Sequence, residues 1–276
     1  MNKILFISLL AFSASCSGTA SVVESNEIVS VEAATDEALG KADSALTSNT
    51  EVKVTLRSAD ITSATKVFKL TSKAASKREI WFYDTPELAL FEDGLLLRAR
   101  KISNAPDDST VKIRPMDRYA VDDSWFEADG FKCETDQSGE RSTSSCSLTV
   151  EQDSGEIGDV ASGDRAPEKL FGSDQEDFAS NAAQVGWDEV VPLGPIAALA
   201  WKVNVKGMSV PVAFERWDLP GMAPILEASM RVSEEDAADA TEALIALLER
   251  KGFEPDSTQE TKTKLALDHF SGAGEH

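Results

Sequence analysis

The segment that most constrains the fold lies near the middle of the chain, where YDTPELALFEDGLLLRAR at residues 83–100 is followed by TVKIRP at residues 110–115. In both segments cations alternate with aliphatic residues, and the side chains of a strand alternate between its two faces. The pattern therefore predicts two strands whose shared face displays Arg98, Arg100, Lys112 and Arg114. Because buried cations at this density require an anion, we expect the chain to hold an anionic ligand.

Further alternating or apolar runs predict a sheet of similar character. The predicted strands are residues 51–57, 79–83, 95–101, 109–114, 125–135, 145–152, 200–205, 210–217 and 225–232. Roughly eight strands with meander-like spacing favour an α+β fold built on a closed or nearly closed antiparallel barrel. Amphipathic helices at residues 168–185 and 233–252 would cover an aliphatic outer wall and leave a charged lumen. The alternative is a set of strands whose charged faces are solvated.

The distribution of charge supports a lumen that holds an anion. The chain has 48 acidic and 27 basic residues and a net charge of −21, which argues against nucleic acid as a partner. The acidic residues concentrate in residues 17–49, in residues 134–189 and in the helix predicted from Ser233, whereas the cations concentrate in the strands. A small anion held inside the fold agrees with this pattern better than an anionic surface bound outside.

Residues 1–16 have the pattern of an export signal. Lys3 precedes an apolar run at residues 4–12 that is too short to span a bilayer, and small residues precede Cys16 in SASCSG. The site resembles a lipobox in which Ser13 replaces the usual Leu. We therefore expect a lipid on Cys16 and an exported protein anchored in the bacterial cell envelope, with ordinary cleavage nearby as the alternative.

The remaining chain is predicted to consist of a linker and one folded domain. Residues 17–49 are rich in Ser, Thr, Ala and Glu and contain no aromatic residue, which predicts a flexible linker. Residues 50–270 are predicted to form the domain, with an acidic insertion at about residues 134–189.

The two cysteines that lipidation would leave are predicted to form a disulfide. Cys133 and Cys146 lie in a predicted hairpin with a polar tip, and an exported protein meets an oxidising compartment. A bridge closing so short a loop stabilises by about 3 kcal/mol on the chain-entropy model. The alternative is two small unpaired residues on strand faces, and export favours the bridge.

Four stretches, taken in order, resemble the CYTH domain, also called the triphosphate tunnel metalloenzyme fold. EVKVTL at residues 51–56 resembles the second half of the family's opening E-x-E-x-K, and the segments at residues 83–100 and 110–115 resemble its central strands. ILEASMRV at residues 225–232 and the helix after it resemble the late E-x-E strand with its helix. TKTK at residues 261–264 resembles a terminal basic motif. The likeness spans about residues 50–268 and is most specific at residues 83–114.

The resemblance implies a basic tunnel that holds triphosphate or polyphosphate, with carboxylates at its mouth that bind Mg²⁺ or Mn²⁺. The residues implied to bind phosphate are Lys53, Arg98, Arg100, Lys112, Arg114, Lys202, Arg231 and Lys264. The residues that the resemblance implies to bind metal are Glu51 and Glu227, with Asn49 as a neutral ligand. Glu215 is added because strand parity places it on the face opposite to Val212 and Phe214, which is the predicted inner face. These residue types suit the chemistry, because Arg and Lys bind phosphate oxygens and hard cations prefer carboxylates.

The chain departs from the family pattern at two of the expected carboxylates. Asn49 stands where the first glutamate of the opening motif is expected, and Ser229 replaces the second glutamate of the late strand. One hypothesis is a metal-dependent hydrolase of triphosphate, polyphosphate or a nucleoside triphosphate. The other, which the lost carboxylates favour, is a protein that binds an anionic phospho-ligand with weak or absent catalysis. A structural lipoprotein with a vestigial tunnel is a third alternative.

Overall fold

The computed structural model describes residues 27–34 and 49–272. Within these residues the strands are β1 (Ile28–Ala33), β2 (Asn49–Leu56), β3 (Ser76–Asp84), β4 (Leu95–Ile102), β5 (Asp107–Ile113), β6 (Phe131–Ser138), β7 (Arg141–Gln152), β8 (Val191–Val205), β9 (Val212–Asp218) and β10 (Ile225–Ser233). The α-helices of the same residues are α1 (Ile61–Val67), α2 (Ala89–Glu92), α3 (Glu156–Ser162), α4 (Ser173–Ala179), α5 (Ala237–Arg250) and α6 (Lys262–Ser271).

Nine of these strands close into a barrel. Their order is β8–β3–β4–β5–β7–β6–β2–β10–β9, and β9 pairs again with β8, while β1 adds to β8 outside the ring. The predicted α+β barrel with helices packed outside is thus confirmed. The barrel has nine strands where we expected about eight, and it is mixed, because β2 and β6 pair in parallel while the other neighbours are antiparallel.

Helices cover the aliphatic outer faces of the barrel, as the alternation of the strands predicts. Phe68, just after α1, packs on Phe214 of β9 with ring centroids 4.6 Å apart, and Leu244 of α5 is fully buried in the same cluster. On the other side, Phe178 of α4 packs on Phe131 with centroids 5.4 Å apart. The outward-facing strand residues therefore form the hydrophobic core together with the helices, and the inward-facing residues are left for the lumen.

The inner face changes from charged to apolar along the barrel. Glu215 and Glu227 line a cavity, whereas Trp217 and Ile225, two residues further along the same faces, belong to an apolar cluster. Leu267 of α6 is fully buried in that cluster. Helix α6 therefore packs against inner-face residues, and apolar side chains fill that end of the barrel.

Several predicted boundaries are wrong, and the longest discrepancy is in β8. This strand begins at Val191 instead of residue 200. Pro192, Gly194 and Pro195 disfavour a regular strand, which is why the sequence pattern concealed its first half. The structure accommodates these residues with an irregular register in the pairing of β8 with β3.

Two predicted elements are shorter than expected because a 3-10 turn replaces their first part. Residues 123–127 form such a turn, so β6 begins at Phe131 instead of residue 125. The predicted helix at residues 168–185 consists of a turn at Pro167–Leu170 followed by α4, because Gly172 between them is extended. Helix α5 begins at Ala237, four residues later than predicted.

Strands extend into two regions that were predicted to be a linker and an acidic insertion. Residues 28–33, within the predicted linker, form β1, in which Val31 pairs with Val203 of β8. Within the predicted acidic insertion, β6 continues to Ser138 and β7 begins at Arg141, so both strands extend beyond the predicted ranges of 125–135 and 145–152. The high content of Ser, Thr and acidic residues concealed β1 and these extensions.

The predicted disulfide is present. Cys133 on β6 and Cys146 on β7 lie directly opposite each other, with their Cα atoms 4.0 Å apart, and their sulfur atoms are bonded. Cys16 and the rest of the predicted export signal lie outside the described residues. Among the helices that the structure describes, none is both long and apolar enough to cross a membrane.

Candidate functional site

The inner face of the barrel encloses a cavity of about 720 Å³, within the range of small-molecule sites. Among the described residues, twelve basic and six acidic ones line it. The excess of cations contrasts with the net charge of −21 of the whole chain. Alternation along the strands produces this contrast, because the acidic residues of the helices face solvent while the strand cations face the lumen.

The cavity brings together every residue that the sequence implicated in phosphate binding. These are Lys53, Arg98, Arg100, Lys112, Arg114, Lys202, Arg231 and Lys264. Glu51, Glu215 and Glu227, which the sequence implicated in metal binding, also line the cavity, whereas Asn49 is not among the lining residues.

The arginines of β4 are held by neighbours on β5. Arg100 donates from Nε and from one terminal nitrogen to the two oxygens of Asp108, at 2.9 and 2.5 Å, and both side chains are buried. Arg98 donates to Thr110 Oγ1 at 3.3 Å. The two guanidinium groups thus point into the lumen from a rigid wall, which lowers the conformational entropy lost when they bind an anion.

Gly94 allows the close approach that places Arg114. Its φ is +82°, which favours glycine, and a Cβ atom at this position would lie 2.5 Å from the carbonyl oxygen of Arg114. The backbone nitrogen of Arg114 donates to the carbonyl oxygen of Gly94 at 2.8 Å. The turn before β4 therefore positions Arg114, the residue that directly follows β5.

Three carboxylates converge beside these cations. Glu51, Glu134 and Asp136 each place one oxygen within 4.8 Å of the others. The parallel pairing of β2 with β6 sets Glu51 directly opposite Asp136, and Glu134 lies on the same face of β6. Glu134 and Asp136 were not among the expected ligands, because the many acidic and Ser residues from about residue 134 onward predicted an acidic insertion. Their alternation with Cys133 and Thr135 in CETD was the available signal of an inward face.

Cations surround this carboxylate cluster. Lys53 Nζ lies 3.1 Å from Glu51 and 2.6 Å from Asp136. Lys112 Nζ lies 3.0 Å from Glu134 and 3.2 Å from Asp136. Arg114 also contacts Asp136, and Lys132 contacts Glu134 at 2.9 Å. The carboxylates and cations of the cavity are therefore joined by ion pairs, and binding of an anion or a metal ion would have to replace some of these pairs.

The electrostatic environment shifts the ionisation of these groups. Burial opposes the charged form of Glu51, but Lys53 and Arg231 outweigh it and lower its pKa to about 2. Lys112 and Lys132 likewise outweigh burial and hold the pKa of Glu134 well below its ordinary value. Burial, only partly opposed by Glu134, lowers the pKa of Lys112 to about 8. The carboxylates are thus ionised near neutral pH, and Lys112 can lose its charge within the physiological range.

The carboxylate cluster has the donor chemistry of a site for a hard divalent cation. Mg²⁺ and Mn²⁺ prefer oxygen ligands, and Glu51, Glu134 and Asp136 supply three carboxylate groups that converge. The neighbouring ammonium and guanidinium groups compete for the same oxygens. The residues present fit a metal once an anion draws those cations away.

A second carboxylate pair lies on the neighbouring strands. Glu215 of β9 and Glu227 of β10 are directly opposite each other. Lys262, at the start of α6, contacts Glu215 and lies 2.8 Å from Glu227. Arg78 Nη1 lies 3.4 Å from Glu215 Oε1. Two cations therefore balance two carboxylates here.

Lys262, rather than Lys264, is the deeply placed lysine of the terminal basic motif. The side chain of Lys262 is only 15% exposed, whereas that of Lys264 is 46% exposed and pairs with Asp268 at 2.5 Å. The sequence motif TKTK offers two lysines, and only the start of α6 decides which one enters the barrel. Lys264 and the half-exposed Arg231 thus lie at the rim of the cavity.

Comparisons with known proteins establish the fold. No protein-family model and no curated protein matches the chain. A candidate adenylyl cyclase from Hippeastrum is described as having a dominant triphosphatase activity. Its sequence is 17% identical to this one, its structure matches with a TM-score of 0.55, and the match covers 79% of this chain and 95% of the Hippeastrum chain. A candidate adenylate cyclase from Bacillus halodurans is 12% identical with a TM-score of 0.53 and covers 78% and 95%. The chain therefore has the closed-barrel tunnel fold of these adenylate cyclase-like and triphosphatase proteins.

Proposed function

We propose that this protein binds a triphosphate or polyphosphate group in the lumen of its barrel, together with Mg²⁺ or Mn²⁺. The observation that carries the proposal is the twofold excess of basic over acidic residues lining a cavity of about 720 Å³ in a strongly acidic protein. A compact polyanion matches this arrangement, because its oxygens accept from several fixed guanidinium and ammonium groups at once. The triphosphatase activity described for the Hippeastrum protein supports this class of ligand.

Binding would exchange partners within the cavity. The anion would bind Lys53, Lys112 and Arg114, which pair with Asp136 in this structure. The freed carboxylates would then be available to a divalent cation, which also bridges to phosphate oxygens. We therefore expect anion and metal to bind with positive cooperativity and the anion to bind measurably on its own.

Calorimetry and thermal-shift measurements test the proposal. The compounds are inorganic triphosphate, long-chain polyphosphate, ATP and orthophosphate, and each is measured with and without Mg²⁺ or Mn²⁺. Arg98→Met should weaken triphosphate binding about 10- to 100-fold, because one charge-assisted contact is worth about 1.5–3 kcal/mol. Lys66→Met is the matched control, since Lys66 is exposed on α1 outside the barrel. Equal effects of the two substitutions, or no binding of any phosphate compound, would exclude a phosphate-binding lumen.

The second candidate function is metal-dependent hydrolysis of the phosphoanhydride bond. Sequence comparison favoured weak or absent catalysis because Asn49 and Ser229 replace carboxylates, but Glu134 and Asp136 restore a convergent set beside Glu51. When bound, the metal would polarise a phosphoryl oxygen and neutralise developing charge. Release of phosphate from triphosphate that requires Mn²⁺ and is lost in Glu134→Gln, with triphosphate still bound, would establish hydrolysis. Stoichiometric binding without turnover would leave the protein a binder.

We further propose that the protein is exported and anchored to the cell envelope by a lipid on Cys16. The apolar run at residues 4–12, the small residues before Cys16 and the disulfide of the folded domain support this location. Metabolic labelling with a fatty acid, followed by membrane fractionation, should show lipid on the wild-type chain and none on Cys16→Ala. A Cys16→Ala chain that still carries the label would refute the assignment.

A further inference from the structure

The ammonium group of Lys262 lies between two carboxylates, those of Glu215 and Glu227. Glu215 and Glu227 are cross-strand neighbours, and like charges placed directly opposite each other destabilise a sheet. A cation between them removes this repulsion. In this protein Lys262 occupies that place, with contacts to both carboxylates.

The position of Lys262 is fixed by its surroundings. It is the first residue of α6, and Thr261 caps the helix by accepting from the backbone nitrogen of Lys264 at 3.2 Å. The ammonium also lies 5.2 Å from the centre of the Trp217 ring, within the range of a cation–π contact. Two carboxylates and one aromatic ring therefore hold the ammonium group of Lys262 at this place.

We propose that Lys262 takes the place of a divalent cation between Glu215 and Glu227, so that it determines the cation content of the lumen. With Arg78 beside Glu215, two positive and two negative charges balance at this end of the cavity, and no net negative charge remains to attract an ion. A divalent cation that enters the lumen together with the anion is thereby confined to Glu51, Glu134 and Asp136. The place of Lys262 between the two carboxylates is argued from these contacts alone. Its effect on which cations enter the lumen rests on the proposed function, which it deepens.

The test is the response of ligand-free protein to Mn²⁺. In Lys262→Met the two carboxylates outnumber Arg78, so this variant should bind one more Mn²⁺ than the wild-type protein. Saturating Mn²⁺ should raise its Tm by roughly 5–10 °C more than that of the wild type. Lys66→Met is the matched control, because Lys66 is exposed on α1 outside the barrel, and it should respond like the wild type. Adding Glu227→Gln to Lys262→Met should abolish the gain.

An unchanged Mn²⁺ stoichiometry in Lys262→Met would overturn the proposal, and so would a gain that survives Glu227→Gln. If Lys262→Met does not fold with or without Mn²⁺, Glu227→Gln in the otherwise wild-type chain decides, measured with Mn²⁺ and inorganic triphosphate. An unchanged metal stoichiometry supports the proposal, and a loss of one ion overturns it. Triphosphate binding by the wild type without metal is measured in parallel, so failure of the anion-binding function is distinguished from failure of the role of Lys262.

Discussion

The substitution Asp136→Asn examines the central ion-pair network most directly. The carboxylate of Asp136 lies 2.6 Å from Lys53 Nζ and 3.2 Å from Lys112 Nζ, and it also contacts Arg114. Removing one partner of a buried ion pair costs about 3–5 kcal/mol, because the remaining charge stays buried. Taking the lower figure, the Tm should fall by about 6–12 °C in the absence of ligand.

The same substitution should strengthen binding of triphosphate in the absence of metal. Asp136 competes with the anion for three cations and repels it. At an effective dielectric near 20, two charges 4 Å apart interact by about 4 kcal/mol. Solvent screening and rearrangement of the neighbouring side chains reduce this interaction energy. We therefore expect the Kd for triphosphate in EDTA to fall by about 10-fold or more. The Mn²⁺-dependent part of the response should disappear, because one of the three converging carboxylates is lost.

Isothermal titration calorimetry in EDTA and in Mn²⁺, together with thermal melts, measures these effects. Asp108→Asn is the matched control, since it breaks the buried pair with Arg100 and leaves Glu51, Glu134 and Asp136 intact. It should destabilise the protein but retain the Mn²⁺-dependent response. A triphosphate affinity of Asp136→Asn in EDTA that equals or falls below that of the wild type would refute the partner-exchange reasoning.

Three further predictions concern pH, the crosslink and the turn before β4. Triphosphate affinity should decline as pH rises above about 8, because the pKa of Lys112 is lowered to about 8 and its positive charge is lost through that range. Binding titrations from about pH 7 to about pH 10 should show a weaker decline in Lys112→Arg, because the guanidinium group of this variant stays charged. Replacing Cys133 and Cys146 together by Ser should lower the free energy of unfolding by about 3 kcal/mol in denaturant titrations, and no change would contradict the loop-entropy argument. Gly94→Ala should destabilise the protein by more than about 1 kcal/mol and weaken triphosphate binding, because the added Cβ atom would collide with the carbonyl oxygen of Arg114. A variant as stable as the wild type would contradict this reasoning.

The face on which each strand residue lies was predictable, because alternation depends only on local geometry. Arg98 and Lys112 were assigned to the lumen from parity, and both line the cavity. The same parity correctly assigned Glu215 to the inside, opposite in direction to Phe214, which is fully buried in the outer core. Such inferences need only the period of two along a strand.

Features that depend on which strands are neighbours were not predictable. The parallel pairing of β2 with β6 brings Asp136 opposite Glu51, and nothing in the local pattern of either strand specifies that partner. Glu134 and Asp136 were therefore counted with the acidic insertion, and the carboxylate set was judged incomplete. The choice of Lys262 over Lys264 likewise depends on how α6 enters the barrel, which is a tertiary property.

The parallel β2–β6 pair also has a consequence for folding. Its two strands are separated in sequence by β3, β4 and β5 and the connections between them, so their pairing closes a long loop and carries a large entropic cost. Glu51 and Asp136 meet only across this seam. In a chain that has folded except for the pairing of β2 with β6, the cations of β4 and β5 would already be in place. The three carboxylates would not yet converge. Ligands that use both sides of the seam would therefore bind the closed barrel alone, and their binding energy would appear in full as resistance to unfolding.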